Sequence, residues 1–138
     1  MTKLGSAWIS TRLLLATALV AAPLTMGSVM AAEANLAGSW SGGGSVNFAS
    51  GEKERARCRA TFRRNSSRTY SMRATCSTPS GSVSQNAQIT RISSTRFSGE
   101  FQNSEYGISG SIYISLRGNR LSASLVAGGG SANFSLSR

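Results

Sequence analysis

Apolar and polar residues alternate along most of the chain after residue 35, in short runs separated by glycine, serine and asparagine. This period of two is typical of half-buried β-strands, and the helical spacing of three and four residues is rare here. Eight runs can be recognised by their inward-facing sets, which begin at Trp40, Ala56, Tyr70, Val83, Phe97, Ile108, Leu121 and Ala132. They predict an all-β, antiparallel up-and-down meander that forms a small barrel or a flattened sandwich.

Turn residues fix the register between neighbouring strands, because a shift of one residue would move a whole apolar set to the other face. A two-residue turn at Gly118-Asn119 predicts that Leu116 faces Leu121. Gly128-Gly129 predicts the equivalent pairing between the seventh and eighth runs. Both turns have the glycine content that tight hairpins require.

Two runs carry a further signal. In the fourth run, Ile89 and Ile92 differ in parity, and a bulge near Thr90 would reconcile them. The first run contains Gly-Gly-Gly-Ser-Val-Asn-Phe over 42–48, which nearly repeats as Gly-Gly-Gly-Ser-Ala-Asn-Phe over 128–134. The repeat indicates either two matched edges that meet and close the barrel or a coincidence of biased composition.

The N-terminal segment has the features of a secretory signal peptide. Basic residues precede an apolar run over 13–22, and small residues follow around Ala31 and Ala34. The run is shorter than a membrane-spanning helix requires. We predict a helical signal peptide over 1–34, cleaved after Ala34 or, alternatively, after Ala31. A single domain over 35–138, with no membrane span, would then lie in the periplasm or the medium.

The two cysteines, Cys58 and Cys76, predict a disulfide, because export would carry them to a compartment where disulfides persist. Their pairing places Ala60 opposite Ala74, which agrees with the inward faces of the second and third runs. By chain entropy, closing such a loop contributes about 3 kcal/mol.

The predicted mature chain is strongly basic: twelve arginines and one lysine stand against four glutamates. Five of the arginines have outward parity on the second and third strands, and we call them the arginine row: Arg55, Arg57, Arg59, Arg63 and Arg73. Arginine favours bidentate recognition of phosphate, sulfate or carboxylate. The alternative interpretation is a solvated outer face whose charge keeps the protein soluble.

The residue types exclude several kinds of catalytic site. Histidine and aspartate are absent from the sequence, so Ser-His-Asp and Cys-His triads, histidine metal sites and aspartyl dyads cannot form. Parity places Glu52 and Glu54 at the mouth of the barrel, where acidic residues beside an arginine run typically offset its charge. We predict no catalytic residues, no metal and no cofactor.

Candidate partners of the arginine row are an anionic polysaccharide, lipopolysaccharide or an acidic protein. A specific nucleic-acid target is disfavoured, because such proteins stack bases on exposed aromatic side chains. Here Phe62, Tyr70 and Phe97 have inward parity, and Tyr113 is the one aromatic residue with clearly outward parity.

Two resemblances add expectations. Gly38-Ser39-Trp40 resembles the Gly-x-Trp opening of lipocalin-like and avidin-like barrels and of bacterial metalloprotease inhibitors. It implies ligand binding in the lumen, or inhibition of a protease by an exposed N-terminal segment; the many inward Gly and Ala residues are equally consistent with a filled core. A second set of residues comprises Trp40–Gly44, Glu54, Arg57-Cys58-Arg59, Phe62 and Cys76. Through this set the chain resembles small exported proteins of alphaproteobacterial type, which implies export and a disulfide but no activity.

Together these observations predict a non-enzymatic exported protein that binds an anionic surface or polymer through the arginine row. The alternative prediction is a small barrel that binds a ligand in its lumen or inhibits a protease.

Overall fold

Eight antiparallel strands close into a barrel in the computed structural model, which describes residues 17–27 and 34–138. Each strand pairs with the next along the chain, and the first also pairs with the last. The strands are β1 Gly38–Asn47, β2 Lys53–Arg64, β3 Thr69–Thr78, β4 Gly81–Arg91, β5 Arg96–Asn103, β6 Ile108–Arg117, β7 Arg120–Ala127 and β8 Gly130–Ser137. The predicted eight-stranded meander is confirmed, and it forms the barrel of the two predicted architectures.

The predicted registers are confirmed. Leu116 pairs with Leu121 across the turn between β6 and β7, and Gly118 in that turn has a φ of 55°. Cys58 pairs directly with Cys76 across β2 and β3 and forms the expected disulfide. Since both cysteines are buried, the disulfide lies on the inner side of the barrel wall.

The two halves of the sequence repeat meet where the barrel closes. β1 and β8 run antiparallel, with Gly44 opposite Phe134 and Val46 opposite Ala132. A Cβ atom at Gly44 would overlap the backbone carbonyl of Asn133 on β8. Glycine is therefore needed here for the close approach of the two edges, and the interpretation of the repeat as matched edges is confirmed.

The bulge predicted near Thr90 is wrong. β4 pairs with β5 without interruption as far as Arg91, which lies opposite Phe97. The inward residue at this end is Arg91, 6% exposed, whereas Ile92 lies beyond the strand and is 58% exposed. The parity of Ile89 therefore continues through an arginine, a residue type that is rarely buried unless it is paired.

The predicted signal peptide lies mostly outside the described residues. Of its length, residues 17–27 are described, and they form no helix or strand. In 17–27 and 34–138, no helix is long and apolar enough to cross a membrane. The helix and the cleavage remain predictions.

Candidate functional site

The lumen has two different ends. Turns after β2, β4 and β6 surround one of them, which we call the closed end; turns after β1, β3, β5 and β7 surround the other, which we call the open end. Among the most deeply buried side chains are Trp40, Tyr70 and Phe97 at the closed end. Tyr70 and Phe97 pack edge to face with their ring centroids 5.7 Å apart.

Residues 34–37 cover the closed end of the lumen. Leu36 is fully buried, and its carbonyl oxygen accepts a hydrogen bond from Trp40 Nε1 at 3.0 Å. Arg138 stacks its guanidinium over the Trp40 ring at 4.4 Å and donates to the carbonyl oxygen of Asn35 at 2.9 Å. The Gly-x-Trp tryptophan is thus a core residue that fixes the N-terminal segment across the barrel.

Arg91 completes this closure from inside the barrel. Its Nη2 donates to the carbonyl oxygen of Ala34 at 2.6 Å and to the Tyr70 hydroxyl at 3.2 Å, and its Nη1 donates to the carbonyl oxygen of Ser94 at 3.0 Å. The guanidinium also lies 4.7 Å from the Phe97 ring centroid. A buried charge is tolerated because backbone oxygens and an aromatic face replace its hydration.

This arrangement bears on two expectations for the N-terminus. Residues 34–37 are held against the barrel, so they do not form the exposed arm that the resemblance to protease inhibitors implied. Of the two predicted cleavage sites, the one after Ala31 retains the Ala34 carbonyl that Arg91 binds, whereas the one after Ala34 removes it.

The open half of the lumen is hollow. A cavity of about 540 Å³ lies inside it, lined by residues from seven of the eight strands, among them Val83, Phe101, Leu125 and Phe134. Small inward side chains such as Ala132 leave this space, while larger side chains fill the closed half. The interior is therefore a cavity in one half of the barrel and a packed core in the other.

Exposed apolar side chains surround the mouth of this cavity. Tyr106 and Ile108 both line it, and they are 59% and 47% exposed. Phe48 has the same parity as Trp40 and Val46, but it lies beyond the end of β1 and is 38% exposed at the rim. Phe48 and Tyr106 lie in turns, where period-two patterning carries no information, whereas Ile108 begins β6.

Polar groups occupy a few fixed positions around the cavity. Asn103 is 5% exposed, and its Oδ1 accepts a hydrogen bond from the Tyr106 backbone N–H at 3.2 Å. Gln85 contributes a second amide to the lining. Neither residue was predicted from the sequence as part of a site, although their inward parity with Ala87 and Phe101 was a signal that could have identified them.

Glu54 lies at the mouth, as parity predicted. Its cross-strand partner Val46 lines the cavity, and one carboxylate oxygen accepts a hydrogen bond from the Ser80 hydroxyl, which also lines it. That bond, with a smaller contribution from Thr78, lowers the pKa of Glu54. In the described chain the second carboxylate oxygen is buried and has no hydrogen-bond partner.

Glu52 is exposed in the turn between β1 and β2, and so lies at the same end as Glu54. Over the described ranges, 17–27 and 34–138, no group of three or more His, Cys, Asp or Glu side chains could hold a metal ion.

The arginine row lies outside the barrel, as predicted, and all five of its side chains are exposed. Their cross-strand neighbours are small: Arg57 has Gly43 and Ser77 beside it, and Arg59 has Ser41 and Thr75. Four members of the row lie along β2, and Arg73 lies on the neighbouring β3 opposite Thr61. The row and the cavity are therefore separate, on opposite sides of the barrel wall.

Solved structures with the same architecture include designed barrels. The chain is similar to the redesigned β-barrel mFAP1 bound to DFHBI, with a TM-score of 0.64, 15% identity, and coverage of 75% of this chain and 94% of that one. It is also similar to a de novo designed fluorescence-activating β-barrel, with a TM-score of 0.58, 15% identity, and coverage of 74% and 92%. No protein-family model and no curated protein matches it. At this identity, the likeness establishes the barrel fold.

Proposed function

We propose that the protein binds a small, mainly apolar molecule in the open half of its lumen. The observation that carries this proposal is the cavity of about 540 Å³, closed at one end by residues 34–37 and open at the other between four turns. Ligand pockets typically enclose about 300–1,000 Å³ and combine apolar walls with a few fixed polar groups. The mFAP1 barrel, which shares the fold, is bound to DFHBI, and this supports the idea that such a barrel can hold a small molecule.

The lining favours a ligand with an aromatic or aliphatic body and a hydrogen-bond donor near the mouth. Phe101 and Phe134 provide apolar walls, and Asn103 and Gln85 provide amide groups. Glu54 lies beside this lining, where its carboxylate accepts a hydrogen bond from Ser80 and places negative charge next to the cavity. Because this carboxylate lies at the mouth, a neutral or cationic ligand is favoured over an anionic one.

A pair of neighbouring substitutions tests this site. Val83 lines the cavity, whereas Ser84 lies on the outer face of the same strand. An indole in Val83→Trp would displace about 60 Å² of buried ligand surface and weaken binding about tenfold, whereas Ser84→Trp should leave it unchanged. Titration with the neutral fluorescent probe N-phenyl-1-naphthylamine measures both affinities, with thermal unfolding as a check on folding. Equal affinities for the two variants would contradict lumen binding.

A second candidate function is binding of an anionic polymer by the arginine row. It is favoured by one observation: in the described residues, none of these five side chains makes a hydrogen bond or an ion pair. On β2 their charges recur at intervals of about 6.6 Å along the strand. Closely spaced like charges repel, so an anionic partner would relieve the repulsion.

Heparin affinity tests this second function. If Arg57 and Arg59 contact the polymer, Arg57→Ser/Arg59→Ser should reduce the slope of log affinity against log salt by about two. The matched control is Arg117→Ser/Arg120→Ser, which removes the same charge from the closed end of the barrel instead of from the outer face of β2. A β2 variant that retains the wild-type slope would rule out the arginine row as the binding surface.

We further propose that the protein is non-enzymatic and acts in the periplasm or the medium. The disulfide between Cys58 and Cys76 supports an oxidising compartment. The resemblance to exported alphaproteobacterial-type proteins supports the same location.

A further inference from the structure

Six exposed arginines gather at the closed end of the barrel, and we call them the closed-end arginines: Arg64, Arg68, Arg96, Arg117, Arg120 and Arg138. They are far apart in the sequence. The ends of β2, β6 and β8, the starts of β5 and β7, and the turn after β2 bring them to one end. They therefore surround the closed end, in contrast to the arginine row, which follows one side.

The carboxylates are distributed in the opposite sense. Glu52 and Glu105 lie in open-end turns, Glu54 lies at the mouth, and Glu100 lies about halfway along β5. None of the glutamates in the described residues lies at the closed end, so no acidic side chain there offsets the cationic charge. The barrel is consequently polarised along its axis, with the positive pole at the closed end.

Several closed-end arginines are held in place without an anionic partner. Arg64 Nε donates to the carbonyl oxygen of Ser66 at 3.0 Å, and Arg68 Nη2 donates to that of Arg91 at 3.3 Å. Arg117 lies directly opposite Arg120 on the paired strands β6 and β7, where like charges destabilise a sheet. Bound anions would relieve this repulsion.

We propose that the closed end docks onto an anionic lipid surface through phosphate-bearing headgroups. A flat surface can contact cations all around a barrel end at once, whereas a linear polymer follows a single row. Ile92, 58% exposed in the turn after β4, adds an apolar side chain at the same end. In this orientation the mouth of the lumen faces away from the membrane and stays open to the solution.

The experiment is co-sedimentation of the protein, purified after expression of its full-length chain, with vesicles of phosphatidylglycerol and phosphatidylcholine. The wild type should bind the mixed vesicles, release them as salt is raised, and fail to bind pure phosphatidylcholine. Arg96→Ser/Arg117→Ser/Arg120→Ser should weaken binding about tenfold or more, since each basic side chain near an anionic bilayer contributes to the attraction.

The matched control is Arg55→Ser/Arg57→Ser/Arg59→Ser, which removes the same three charges from the side of the barrel and should cost about threefold or less. Arg96→Lys/Arg117→Lys/Arg120→Lys retains the charge and should retain binding. If the closed-end serine variant does not fold, Arg117→Ser/Arg120→Ser is compared with Arg57→Ser/Arg59→Ser instead. Equal losses for the matched variants, a larger loss for the β2 variant, or binding to soluble heparin without binding to vesicles would each overturn the proposal. Probe binding in the lumen is measured separately, so the two functions can fail independently.

Discussion

Arg91→Leu is expected to destabilise the barrel by about 3 kcal/mol or more, because each buried polar group left without a partner costs about 1–3 kcal/mol. The substitution removes the donor to the Ala34 and Ser94 carbonyl oxygens and to the Tyr70 hydroxyl. It also removes the cation from beside the Phe97 ring. For a domain of this size, the thermal midpoint should fall by more than about 10 °C, which calorimetry would measure.

Arg96→Leu is the matched control for this prediction. Arg96 is exposed at the start of β5, so the same change of side chain there should alter stability by no more than about 0.5 kcal/mol. Similar midpoints for the two variants would show that Arg91 does not hold the closed end together.

Loss of the disulfide is expected to have the second largest effect on stability. Cys58 and Cys76 are 18 residues apart, and releasing a loop of that length costs about 3 kcal/mol by chain entropy. Cys58→Ala/Cys76→Ala should therefore unfold at clearly lower denaturant concentration than the oxidised wild type. Chemical denaturation followed by circular dichroism measures the difference.

The reduced wild-type protein is the control, because it lacks the bond but retains both sulfur atoms. It should lose most of the same stability, and any further loss in the alanine variant reports packing at the two positions. An oxidised and a reduced protein of equal stability would contradict the chain-entropy account.

Strand registers could be predicted from the sequence because separate constraints fixed the same inner face. The glycine turn at Gly118-Asn119 set one pairing, and the Cys58–Cys76 bond set another. A slip of one residue would have exposed every apolar side chain of a strand. The inward residues of one strand therefore fix the register of the strand paired with it. The arginine row followed from the same parity.

The closed end could not be predicted in this way, because its contacts join residues that are distant in the sequence. Arg91 binds Ala34, and Arg138 stacks on Trp40. Alternation treats a charged residue as outward, and so the pattern placed Ile92 inside and required a bulge. Arg91 is nevertheless buried, because its hydrogen bonds to backbone oxygens outweigh the usual cost of burying a cation.

The division of the lumen into a filled half and a hollow half also could not be predicted from the sequence. Alternation identifies inward positions, but the space left between them depends on which side chains meet across the barrel. The grouping of the closed-end arginines could not be predicted from the sequence either, because it is the closure of the barrel that brings separate strand ends together.

The most direct test of lumen binding is a nuclear magnetic resonance measurement of contacts between N-phenyl-1-naphthylamine and the protein's methyl groups. Leu125 and Val126 are neighbours on β7 that face in opposite directions: Leu125 lines the cavity, and Val126 is 52% exposed on the outside. Intermolecular Overhauser effects from the probe to Leu125 and Val83, with none to Val126, are the predicted result. Contacts to Val126 without contacts to Leu125 would contradict binding in the lumen.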